Sequence, residues 1–238
     1  LLDEAAELWA DYLHACLYPD RKYSPRHALR IANSIKTICQ SLFAAAAPQS
    51  APGLLAPLLE ELKTAQDAQR FALTDALCHV PCAYLPDAAC GQLLQTLRPM
   101  AQTGEPYRRL IAMQLLLHLR QKASCRASVH ALAQGLPESG EAATDYLRAL
   151  LGGVRPAPLG EHEIAALYLS NLKNAVHWTV KLAQIDLLCA DAMASGRDVF
   201  HTALHFSNLL CVSEHLPVRE SAGRHLLLIA PRLPADQI

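Results

Sequence analysis

Apolar residues recur along this chain at steps of three and four, interrupted by Pro, Gly and Ser, and no stretch shows the strict alternation of a half-buried strand. The spacing predicts about twelve helices arranged as about six pairs. Asp3 to Leu17 precedes Arg26 to Ala46, Leu54 to Lys63 precedes Ala68 to Leu85, and Ala88 to Gln102 precedes Tyr107 to Gln121. Ser124 to Gly135 with Ala142 to Leu151, Glu161 to Leu172 with Ala175 to Ala194, and Asp198 to Val212 with Val218 to Ala230 complete the series. The run GGVRPAPLG over 152–160 is the densest in helix breakers and the expected point of bending within a single helical-repeat domain over 1–238. The chain starts at Leu1 without a methionine and inside a helical pattern, so it reads as a piece of something longer.

The second helices of these pairs share a plan: a turn residue, a basic residue in the first turn, a small Ala, then a Leu-rich end. DAQRFALTDALCHV, EPYRRLIAMQLLLHL, HWTVKLAQIDLLCA and LPVRESAGRHLLLI all follow it, and FALTDALC matches LAQIDLLC in register, setting Arg70 on Lys181 and Asp75 on Asp186. Arg70 to Arg108 and Lys181 to Arg219 are each 38 residues apart, a repeat period typical of helical solenoids. At Pro217, Val218, Arg219 and Ala222 the chain resembles the HEAT and armadillo family of helical-hairpin repeats, and Asp75 and Asp186 resemble that family's inward acidic position. The likeness spans nearly the whole chain in period but only four second helices in motif. It implies an all-α, right-handed α-α superhelix of about six hairpins with second helices on the concave face. The tail Leu233, Pro234, Ala235, Asp236 looks like the start of another first helix.

Within the second helix of the fifth pair, the apolar set Val176, Val180, Ala183 and Leu187 is separate from a polar seam of Asn174, His177, Lys181 and Gln184. The family resemblance turns this seam toward a partner, joined by Glu220 and Arg224 from the next repeat and by Thr74, Gln114 and His118 from earlier ones. Arg70, Asp75, Arg108, Asp186 and Arg219 read instead as structural charges between repeats, with Asp186 the acid best placed to meet Lys181 and Arg219.

Composition narrows the chemistry. Hydrophobic residues make up 52% of the chain and come from Ala and Leu, the composition of closely packed helices with a buried core. Twenty-one basic residues against 22 acidic ones create no global field, which argues against phosphate-driven nucleic-acid binding. The longest apolar run, Leu110 to Leu119, is too short for a membrane span and contains Gln114 and His118. Of the eight cysteines, Cys16, Cys39, Cys125, Cys189 and Cys211 lie singly in helical patterns, as buried thiols of an intracellular, cytoplasmic protein do.

Two constellations have metal-ligand character. Cys78, His79, Cys82 and Cys90 crowd one stretch, and His201 and His205 stand four apart on one helix. In the first the spacing is poor for zinc; in the second Thr202 stands where a hydrolytic motif has its acid. Packing and surface roles fit both better, and no metal or other cofactor is expected. Phosphate-cradling glycine loops and nucleophile elbows are absent. The expected function is therefore a non-catalytic scaffold that binds a protein, a peptide or an adjacent domain. A helical-repeat DNA glycosylase, or an accessory region of a larger enzyme, is the alternative.

Overall fold

The computed structural model describes residues 2–18, 25–103 and 105–233. The turn after the first helix and the expected start of a further helix at 234–238 lie outside the described residues. Twelve α-helices and no strand occur among those described. In chain order they are α1 (Leu2–Leu17), α2 (Pro25–Ala45), α3 (Ala51–Thr64), α4 (Asp67–Leu77), α5 (Asp87–Thr103) and α6 (Pro106–Leu119). Then follow α7 (Ala123–Gln134), α8 (Ala142–Leu151), α9 (Glu161–Leu172), α10 (Trp178–Ser195), α11 (Val199–Val212) and α12 (Leu216–Ile229).

Nine of the twelve helices match the expected bounds within two residues; α3 begins three residues earlier than expected, at Ala51, and two others differ for local reasons. Where a single helix is expected over Ala68 to Leu85, α4 ends at Leu77 and a short 3-10 turn covers Cys82–Tyr84. Pro81 lacks an amide proton and disfavours helical geometry at Val80, so the helix stops a turn earlier. At α10 the helix begins at Trp178 rather than Ala175. His177 is its N-cap, with ring Nδ1 accepting the amide proton of Thr179 at 3.2 Å.

The described residues within 1–103 and 111–135 form one compact unit, and those within 104–110 and 136–238 form another. In the first unit α1 packs on α2 and α3, α2 on α3 and α4, α3 on α4, and α5 on α7. Its core includes Leu13, Ile35, Leu58, Leu73, Leu77 and Leu93, none with measurable exposure. Removing each such side chain from water contributes about 1.5–3 kcal/mol. Trp9, also buried, donates its indole N–H to the Leu54 carbonyl at 3.0 Å, satisfying the one polar group it carries inside.

In the second unit α10 is central, contacting α8, α9, α11 and α12. Trp178, Ile185, Leu187 and Leu188 put its apolar side into the core with Phe206, Val218 and Ala222. The helix is buried on more than one face, which explains why even its polar residues Thr179, Lys181, Gln184 and Asp191 are inside.

Several long-range side-chain bonds share nearly one sequence separation, while others span 32, 34, 45, 47 and 52 residues. Cys39 meets the Ala76 carbonyl, Gln40 meets His79, Tyr84 donates to Ala46, His118 to Val80, and Ser124 to Asp87. Arg197 donates to Leu159 in the second unit, and all six spans cover 37 to 39 residues. These six spans lie close to the 38-residue spacing of the basic residues.

Candidate functional site

The basic residues of the second helices occupy matching places: Arg70, Lys181 and Arg219 are each the fourth residue of α4, α10 and α12. The arginines bond within their own pair. Arg70 donates to the Ala65 carbonyl at 2.8 Å and Arg219 to the Ser213 carbonyl at 2.7 Å, each tying the end of the preceding helix to the start of its own. Arg108 donates from Nε to the Tyr107 hydroxyl at 2.9 Å. Arg70 and Arg219 thus serve the helix-to-helix turns, where orphan carbonyls need donors.

The two repeated aspartates have different surroundings. Asp186, half-buried, lies 3.0 Å from His225 Nε2 on α12, so histidine takes the place expected for Lys181 or Arg219. Burial works against a charge on His225, but the Asp186 carboxylate outweighs it and the ring titrates above its ordinary value. Asp75 is 4% exposed, and burial lifts its pKa to about 6 against the pull of Lys36 on α2.

The expected polar seam divides by depth. Asn174, Glu220 and Arg224 are exposed; His177, Gln114 and His118 are half-buried. Thr74, Lys181 and Gln184 lie inside, at 0%, 4% and 7% exposure. Thr74 turns its hydroxyl back to the Arg70 carbonyl at 2.7 Å. Burial lowers the Lys181 pKa, with Glu214 drawing it part of the way back. His177 stacks on Tyr107 with ring centroids 4.3 Å apart, and burial, with His215 adding to it, brings its pKa down to about 4. Asn174 precedes α10 and so does not share a helical face with His177.

Gln184 leads to a feature that the periodicity did not expose. A groove of about 890 Å³ lies between α8 and α9 over α10. Ala143, Tyr146, Ala166, Leu167, Val180 and Leu187 give it apolar walls, and Glu141, Asp145 and Glu163 bring carboxylates to it. Gln184 and Ser170 are its inner polar pair, the Gln184 amide donating to Ser170 Oγ at 3.0 Å. Gln184 Oε1 is buried with no hydrogen-bond partner.

Along one side runs the 152–160 segment, where the breaker-rich sequence led us to expect a bend. It forms a strap. Gly153 takes the left-handed conformation, φ 73°, to start it. At its far end Asp191 accepts the Leu159 amide proton at 2.8 Å and Arg197 donates to the Leu159 carbonyl at 3.2 Å. Pro156, Ala157 and Pro158 line the groove, and on their other side a second, more apolar hollow of about 630 Å³ reaches Leu150, Arg155 and Met193.

The metal-like residues are dispersed in role. His201 is exposed beside Asp198 at 3.3 Å, whereas His205 is buried, 3.3 Å from Asn171, its pKa lowered by burial to about 4. Cys78 and Cys82 are half-buried thiols whose pKa values burial raises, the opposite of the change that favours a metal-binding thiolate. Among the described residues no group of three or more His, Cys, Asp or Glu is placed to hold a metal. No described helix is long and apolar enough to cross a membrane. Comparison with known families, curated proteins and solved structures finds no match to this chain.

Proposed function

We propose that this chain is a non-catalytic helical-repeat scaffold, a HEAT- or armadillo-like superhelix that binds a protein or peptide partner or an adjacent domain within the cytoplasm. The observation that carries the reading is the α8–α9 groove: a concave, mostly apolar surface with a few convergent polar groups is the form of a recognition site. The contacts at repeat separation support the repeat architecture, since each hairpin then buries its second apolar face only against a neighbour. Asn174, Glu220 and Arg224 are the members of the expected seam that a partner could reach without opening the core.

Selection of a displayed random-peptide library on the immobilised chain tests the reading. A convergent motif whose synthetic peptide binds the free protein in solution is the expected result. Loss of convergence, together with retention of duplex DNA at low salt, would replace the scaffold by the nucleic-acid reading.

A further inference from the structure

We infer that the groove between α8 and α9 receives a peptide segment in which apolar side chains alternate with lysine or arginine. The inference rests on the scaffold reading and names the partner chemistry of its groove. Three observations combine. First, the lining carries three carboxylates, Glu141, Asp145 and Glu163, and no Lys, Arg or His. A cation entering it meets three acidic residues, of which Asp145 is half-buried and Glu141 and Glu163 are exposed at the rim.

Second, these carboxylates are held in place before any ligand arrives. Asp145 accepts from the Ser139 and Gly140 amides, each at 3.0 Å. Glu163 accepts from the Gly160 amide at 2.7 Å, and Glu141 from the Thr144 hydroxyl at 3.1 Å. None of those neutral donors cancels the charge. Arg148 pairs with Asp145 at 3.7 Å, which offsets part of that one charge, but it also bonds Glu138 at 2.9 Å and does not line the groove. Fixed acids lose little side-chain freedom when they engage a ligand.

Third, the inner polar pair has the complement of a peptide group. Gln184 Oε1, on a side chain more than nine-tenths buried, lacks a donor. Ser170 Oγ already accepts from Gln184, which leaves its hydroxyl proton to give. Once the Gln184 side chain turns its covered oxygen toward the groove, an acceptor and a donor side by side match the N–H and C=O of an extended backbone, and a buried acceptor left unmade costs about 1–3 kcal/mol. The apolar walls then take alternate side chains while the intervening ones reach the acidic rim.

The test measures binding to the whole chain by fluorescence anisotropy with three short labelled peptides of blocked termini: alternating leucine–lysine, leucine–glutamate and leucine–serine. The lysine peptide binds tightest, and its affinity falls with salt. Glu141→Gln with Glu163→Gln retains both cap bonds and removes two charges; it weakens the lysine peptide about tenfold and leaves the serine peptide unchanged. Ala166→Trp, at an exposed position, fills the groove and blocks both peptides while circular dichroism shows unchanged helicity. If the glutamate peptide binds as well as the lysine peptide, or the double variant binds both as before, the charge assignment is overturned and the scaffold reading stands. If Ala166→Trp leaves every affinity unchanged, the groove is not the site. A simple alkyl amine that occupies the groove where all three peptides fail would overturn the peptide in favour of a small cation. Binding of none of these probes also overturns the inference, and the library selection then judges the scaffold reading separately.

Discussion

Asp75 and Asp186 are each the ninth residue of their helices, yet tertiary packing gives them opposite energetics. Asp75 ionises near 6 in the folded chain and near 3.8 when unfolded, so its burial weakens the fold at neutral pH. Asp75→Asn is expected to raise the stability at pH ~7 by on the order of 2 kcal/mol, with the gain vanishing below pH ~4, where the carboxyl is neutral in both states. Thermal melts of both proteins across that range check it. Asp186 instead holds a proton on His225. In Asp186→Asn burial and Arg224 still oppose the charge on the ring while only the Ser221 carbonyl, 2.8 Å from Nδ1, favours it, so the His225 pKa, followed by NMR, should fall.

His177 and His205, whose pKa values burial lowers, add a pH dependence of the opposite sign to that of Asp75. His177 and His205 take up protons near 6.5 in the unfolded chain but near 4 in the folded one. The unfolded state therefore binds more protons between those values, and their contribution, complete above about 6.5, is lost as the pH falls toward 4. His177 adds a local reason: its Nδ1 must be unprotonated to accept from Thr179.

At the scale of the element, helix existence was legible from the spacing of apolar residues, because the core selects one face at every turn. The ends were less so. Nothing in the periodicity distinguishes Asn174 from His177 as the start of α10, since both belong to the same polar set. The capping geometry does: His177→Ala should destabilise the protein by about 1 kcal/mol through the lost cap, whereas Asn174→Ala should change the melting temperature little. The first-turn arginines were visible as a repeated position, but their acceptors were not, because a carbonyl exposed by a turn leaves no mark in side-chain chemistry. Arg219→Ala should cost about 1 kcal/mol, or roughly 2–4 °C in melting temperature, by releasing the Ser213 carbonyl.

For the chain as a whole, the strap over 152–160 shows how a feature expected to be loose becomes fixed. Gly and Pro mark a break in helix, and that much was readable at Gly152 to Gly160. What holds the break is distant in sequence: Asp191 on α10 and Arg197 beyond it. Asp191→Ala leaves the Leu159 amide without its acceptor, and hydrogen exchange at Leu159 should accelerate while exchange in α11 is unchanged.

The sequence by itself determined that the protein is helical and where nearly all of its helices lie, because apolar spacing and Pro/Gly punctuation act over a few residues. It also singled out Gln184, though as one member of a polar seam. Only the tertiary structure decided which of that seam is buried, that Asp186 meets His225, and that Glu141, Asp145 and Glu163 gather beside an unpartnered Gln184 oxygen. Burial and charge environment are set by residues tens of positions away, and one-dimensional periodicity carries no record of which distant helix covers a given face.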